Sequence, residues 1–135
     1  MNPVFDLSVL LKTLEPVLNP GVFVFASIRD GYTIDPAVIV ASIREPEGLS
    51  VITREADAAH NGLNVLFKCA WITLSVNSAL DAVGLTAVFA TALGHSGISC
   101  NVVAGAYHDH IFVPLESAHA AMRVLHQLQK DGGIA

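Results

Sequence analysis

The densest chemistry in this chain lies in the run Tyr107-His108-Asp109-His110. Two imidazoles at i and i+2 on a strand share a face and could both hold Zn²⁺ or Ni²⁺, with a third ligand drawn from His95, His119 or Cys100. The acid between them, Asp109, can instead accept an ammonium group. A second polar group lies upstream at Asn77, Ser78, Asp81 and Gly84, just ahead of a long uncharged segment. A helix that starts there presents unpaired N–H groups and a positive dipole end, which suit a carboxylate. Gly84 would let a ligand approach the backbone closely. A free amino acid carries both charges, and either Asp109 or Asp81 could meet its ammonium. The plainer reading is that Ser78 or Asp81 caps the helix and Asp109 makes a turn, since these are the usual cap and turn residues. Cys100 with His108 or His110 could form a nucleophile and base, but alternation puts Cys100 on the apolar side of its strand, where a small thiol packs as a hydrophobe. No glycine-rich phosphate loop, paired catalytic carboxylates or G-x-S-x-G is present. The chain therefore reads as a non-enzyme, with no cofactor.

The elements that must position these groups follow from hydrophobic period. Leu85, Val88, Phe89 and Ala92 repeat at i, i+3, i+4 and i+7, one apolar helix face. Gly97 offers a left-handed stop. The period then changes to two: Ile98, Cys100, Val102 and Ala104 point one way, Ser99, Asn101, Val103 and Gly105 the other. Tyr107–His110 reads as turn-like, and Ile111-Phe112-Val113 resumes a strand. Upstream, Leu7, Leu10, Leu11 and Leu14 mark a helix ended by Pro16 or by Asn19-Pro20-Gly21. Strands are expected over 22–28, 38–43 and 49–53, with Pro46-Glu47-Gly48 as a turn. Glu55–His60 reads as a short helix ending at Asn61-Gly62, Val65–Phe67 as a brief apolar link, and Cys69–Val76 as the next strand. The last helix starts near Glu116, buries Ala118, Ala121, Met122, Leu125 and Leu128, and ends at Asp131-Gly132-Gly133.

A faint repeat runs through this pattern. Ile52–His60 aligns with Val113–Ala121, and Phe23–Ile28 with Trp71–Val76. The second copy has roughly a dozen more residues between its first two strands, the length of one short helix. The first copy thus lacks the helix that Leu85–Leu93 supplies in the second, and the N-terminal helix could fill the vacated place. The βαββα order from Cys69 to Lys130 is most of a ferredoxin-like βαββαβ unit. Its fourth strand must come from the other half or from another chain, or its edge stays open.

The stretch Asp-Ala-Val-Gly-Leu-Thr-Ala-Val-Phe-Ala-Thr-Ala-Leu-Gly-His-Ser-Gly-Ile-Ser-Cys-Asn-Val, from Asp81 to Val102, resembles the first half of an ACT domain. Tyr-His-Asp-His-Ile-Phe-Val-Pro, ending at Pro114, resembles the branch of short stand-alone bacterial proteins with two ACT-like halves. That branch is similar in turn to the CASTOR arginine sensors and to aspartate kinase regulatory domains. The resemblance implies an α+β fold of tandem ACT-like halves, an N-terminal half at 1–67 carrying the extra helix and a C-terminal half at 68–135. It implies a regulatory or sensor protein that binds an amino acid between units. Carried over by position, the ligand residues are Ser78, Val83, Gly84, Leu85 and Thr86 from the strand–helix loop, Asn101 and Val102 from the next strand, and Asp109 from the hairpin. In the first half Pro46-Glu47-Gly48 stands in place of the His-Asp-His cluster, so at most one site per pair of halves is expected. The alternatives left open are a structural oligomerisation module with a degenerate site, and a metal-binding protein using His108 and His110.

Composition limits the partners. The chain is 53% hydrophobic and only 14% charged, which leaves few charges to cover a surface and predicts burial between subunits in a homo-oligomer. A net charge of −5, with Lys and Arg sparse and never clustered, argues against nucleic acid and anionic membrane. The two cysteines form no C-x-x-C pair and predict reduced, buried thiols in the cytoplasm. The start has no basic n-region, so no secretory signal is expected. The uncharged run from Ala82 to Tyr107 is interrupted at His95-Ser96-Gly97, which reads as helix then strand rather than a membrane span.

Overall fold

The structure, a computed structural model, describes residues 7–75 and 84–132. Its elements run α1 (Leu7–Lys12), β1 (Pro16–Leu18), β2 (Phe23–Ile28), β3 (Ile39–Glu45), β4 (Gly48–Arg54), α2 (Glu55–His60), β5 (Val65–Leu74), α3 (Leu85–His95), β6 (Asn101–Ala104), β7 (Asp109–Pro114) and α4 (Ala118–Asp131). Short 3₁₀ turns at Pro36–Val38 and Leu115–Ser117 lead into β3 and α4. All strand pairings are antiparallel, in one sheet of order β3-β4-β2-β5-β7-β6, with β1 also on β5.

β5 is the axis of the fold. Cys69 faces Phe23 on one side and Pro114 on the other. Leu74 faces Pro16 on one side and Asp109 on the other. β1 and β2 therefore occupy the same edge of β5, one after the other, and β7 the opposite edge. The first half takes the early part of β5 as its fourth strand, in the order β3-β4-β2-β5. The second half uses the later part of β5 as its first strand and takes β1 as its fourth, in the order β6-β7-β5-β1. Each is the ferredoxin-like arrangement. The fourth strand of the second half is thus the chain's own Pro16–Leu18, and the boundary expected at 67/68 falls inside β5. The expected link at Val65–Phe67 and the strand after it are one element.

The sheet has two unlike faces. Cross-strand partners point to the same side, so Ala70, Ile72, Leu74, Ile111 and Val113 share one face. They form a core with Phe89 and Leu93 of α3 and Ala121 and Leu125 of α4. Leu10, Leu11 and Leu14 are buried in this same core. This corrects the expectation that the N-terminal helix fills the first half's vacancy: α1 packs with α3 and α4, where Leu10 and Leu11, with Leu14 just beyond its end, meet the large apolar core. The first half closes without it, through Ile34, Ile39 and Leu63 packed on Ala26, Ile28 and Val51. The opposite face carries an aromatic cluster. Phe23 meets Trp71 edge-on at 5.2 Å, Phe25 meets Phe112 at 5.7 Å, and Arg54 lies over the Phe23 ring at 5.2 Å. Phe23, Cys69 and Phe112 are buried beneath these neighbours.

Candidate ligand site at the start of the third helix

The α3 helix begins at Gly84, whose φ of 101° is the left-handed conformation that glycine adopts without strain. A Cβ there would stand 3.3 Å from the side chain of Leu7. As cap residue Gly84 brings no side chain to the first N–H groups of the helix, and among the described residues no other side chain caps them. The other end stops as the sequence predicts: Gly97 takes a φ of 73° and Ile98 N–H donates to Leu93 O at 3.0 Å. Leu85 is buried in the large core together with Leu74, while Thr86 is exposed.

Asp109 opens β7 opposite Leu74 and Ala104. It is not in the turn but in the strand, and it shares the helix-bearing face with Leu74. It is half-buried, and removal from water pushes its carboxyl above the ordinary carboxylate range, with His110 and then His108 pulling it back down. Among the described residues no Lys or Arg pairs with it. Val102 faces the same side, packed against the core; Asn101 pairs with Phe112 and lies exposed on the other face. Gly84, Leu85, Val102 and Asp109 thus belong to one side of the sheet, Asn101 to the other. Ser78 and Val83, with Asn77 and Asp81, lie outside the described residues.

His110 does something else. It lies opposite Thr73 and Val103, on the aromatic face. Its Nδ1 accepts from the Trp71 indole N–H at 3.1 Å and has the Thr73 hydroxyl at 3.1 Å. Asn19 Nδ2 donates to Thr73 Oγ1 at 2.9 Å and to Trp71 O at 3.2 Å, and Asn19 N–H also donates to Trp71 O, at 2.9 Å. An indole N–H only donates, so Nδ1 carries the lone pair and Nε2 the proton. Burial, then the neighbouring His108, lowers the affinity of His110 for a second proton, and Asp109 opposes both. Gly105 fits beneath: a Cβ there would lie 2.9 Å from His108 O and 3.2 Å from His110 Nε2. His108 precedes the strand and holds a buried Nδ1 with no hydrogen-bond partner among the described residues. Among the described residues no three His, Cys, Asp or Glu side chains gather to hold a metal. The Asn19–Thr73–His110–Trp71 network went unread in the sequence. The period-two pattern of Cys69–Val76 puts Trp71 and Thr73 on one face and was the available signal.

Both cysteines are free. Burial pushes the Cys69 thiol up to about 12 and the Cys100 thiol up to about 11. Cys69 Sγ donates to Phe23 O at 3.4 Å. Cys100 is half-buried and packs against the large core from the residue before β6.

Residues 2–70 match an ACT domain, and residues 66–127 match a second one. The chain belongs to the ACT domain family. A Vibrio cholerae protein described as of unknown function and a possible transport protein is 41% identical over 91% of this chain and 95% of its own, with a TM-score of 0.81. An Agrobacterium tumefaciens protein shares the fold at 16% identity, covering 86% of this chain and 89% of its own, TM-score 0.72. The regulatory subunit of aspartate kinase from Thermus thermophilus shares it at 13% identity, covering 84% and 95%, TM-score 0.62. No curated protein matches the chain in sequence. Membership in the ACT domain family supports a regulatory, ligand-binding role. Among the described residues no helix is long and apolar enough to cross a membrane.

Proposed function

We propose that this ACT domain protein is a non-enzymatic sensor that binds a free amino acid beside the start of α3. The observation that carries the reading is Asp109: a half-buried carboxylate without a Lys or Arg partner among the described residues, on the helix-bearing face of the sheet. In this reading the first N–H groups of α3, from Gly84 through Thr86, take the ligand carboxylate. Asp109 takes the ammonium or a cationic side chain. Val102 borders the space between; Ser78 and Val83 remain candidates by resemblance alone, and Asn101, on the other face, takes no part. The fold shared with aspartate kinase regulatory subunits supports a regulatory output, which would pass through a partner protein. The free thiols, Cys69 buried and Cys100 half-buried, support a reducing cytoplasmic setting. The raised Cys100 thiol is a poor nucleophile, which supports a non-catalytic role.

Thermal shift against the twenty amino acids, followed by calorimetry on the one that raises the melting temperature, tests this. A hydrogen bond to a charged group contributes about 1.5–3 kcal/mol, so Asp109→Asn should weaken binding roughly ten- to a hundredfold. Asp57→Asn, on α2, should leave affinity alone. Normal affinity in Asp109→Asn would remove Asp109 from the site. Silence toward all twenty would leave a structural pairing module.

A further inference from the structure

A groove of about 760 Å³ runs between α3 and α4 on the outside of the helical layer, away from Asp109 and the sheet. Its floor is apolar, with Val88 and Ala92 from α3 and Val124 and Leu128 from α4, all half-buried. Its α4 wall is polar and exposed, running from Arg123 through Gln127 to Asp131. On the α3 side the groove is bordered by exposed Thr91, His95 and Ser96, with no Lys, Arg, Asp or Glu among them. From Leu85 to Gly94 the helix contains no charged residue, and its exposed positions are Thr86, Ala87, Thr91 and Gly94. A helix that keeps one face in water normally charges that face.

The charge layout on α4 is complementary to a second copy of the same helix. Arg123 and Asp131 are four residues either side of Gln127 on one stripe of the helix, about 12 Å apart along its axis at 1.5 Å per residue. They carry opposite signs. Two copies of α4 laid antiparallel about a two-fold axis at Gln127 bring Arg123 of each copy to Asp131 of the other, twice over. A parallel arrangement would set like charges together. Gln127 Nε2 already donates to Asp131 Oδ1 at 2.9 Å and holds that carboxylate on the rim. The small side chains of α3 leave room for the second copy to approach closely, and the floor supplies the apolar centre that a charged rim surrounds in a stable interface.

We propose that this groove is the dimer face: a second copy of the chain docks on it by two-fold antiparallel packing of α4, with Arg123 and Asp131 paired reciprocally across the rim. The mode is isologous, as expected of a closed two-fold dimer. It leaves the Asp109 region free and does not depend on any ligand.

The test is sedimentation equilibrium on the full chain and four variants, with circular dichroism to confirm that each is folded. Wild type should be a dimer at micromolar concentration. Arg123→Asp and Asp131→Arg should each weaken the dimer roughly ten- to thirtyfold, because each replaces two attractions of an exposed pair by two repulsions. The double variant carrying both changes should recover most of the wild-type affinity. Val124→Asp should give a folded monomer. A wild-type monomer at about 100 µM, well above the affinities of stable dimers, would overturn the proposal. So would a dimer whose affinity is the same in both single charge variants.

Discussion

Replacing Trp71 by Phe tests how the aromatic face sets the protonation of His110. In the native arrangement the indole N–H points at Nδ1 at 3.1 Å. A proton added at Nδ1 would confront that N–H, and burial disfavours the charge as well. The folded state therefore binds a proton on His110 at lower pH than the unfolded chain, whose imidazole titrates near 6.5. Below that value the unfolded state holds more protons. Stability then falls as pH drops from 6.5 toward the lowered folded value, with a limiting slope of about 1.4 kcal/mol per pH unit for one proton. Asp109 acts in the opposite sense lower down. Its folded value lies above 3.8, so the folded state gains protons there first and stability rises on further acidification. Phe at position 71 keeps a ring against Phe23 and Phe112 but deletes the N–H. At pH 8 the variant should lose about 0.5–1.5 kcal/mol, one net hydrogen bond, plus a smaller packing loss. At acid pH the loss should shrink, because Nδ1–H of the variant can donate to Thr73 Oγ1. Urea unfolding from pH 8 to pH 5 reads both quantities, and NMR titration of His110 should show its value rising in the variant. Parallel stability curves for wild type and Trp71→Phe would refute this account of the network.

Other outcomes follow from packing and burial. Phe89 is fully buried at the centre of α3, so Phe89→Ala should cost about 3–5 kcal/mol in denaturant unfolding. Native thiol labelling should be slow at Cys69 and faster at Cys100. Since the folded thiols titrate near 12 and 11 against an ordinary 9.0, the folded state retains protons that the unfolded chain releases, and stability should fall as pH rises above about 9. Gly105→Ala would push a methyl toward His108 O and the His110 ring. It should cost about 1–3 kcal/mol and shift the His110 resonances, whereas an unchanged titration would separate Gly105 from the network.

The sequence was most legible where local signals agreed. Glu55–His60 is helical as expected, with acids in its first turn and Asn61-Gly62 beyond its end. The turn at Pro46-Glu47-Gly48, the left-handed stop at Gly97 and the end of α4 at Gly132 also declare themselves in residue type. It was least legible where long-range pairing decides. β1 is three residues beginning with proline, too short to show a period, and its partners at Ile72–Leu74 lie more than fifty positions away. Leu66 and Lys68 hide β5 as one strand, because an exposed leucine and an exposed lysine break the burial alternation of a half-covered element. α4 begins two residues after Glu116 because Leu115–Ser117 forms a 3₁₀ turn first. At the candidate site, residue type singled out Asp109 and Gly84. Alternation already set Asn101 and Val102 on opposite faces; that Asp109 shares the face of Val102 depends on the register of β6 against β7.

The sharing of β5 makes the protein indivisible. A cut between Val65 and Cys69 would divide the first half's fourth strand and part the second half from β1, so neither half should persist as a separate fragment. The same strand couples the two halves mechanically: opening either one strips hydrogen-bond partners from the other. Amide exchange should therefore report one free energy of opening along β2 and β7, despite their membership in different halves. A molecule bound beside α3 would slow exchange at Phe23–Ile28, a segment it never touches.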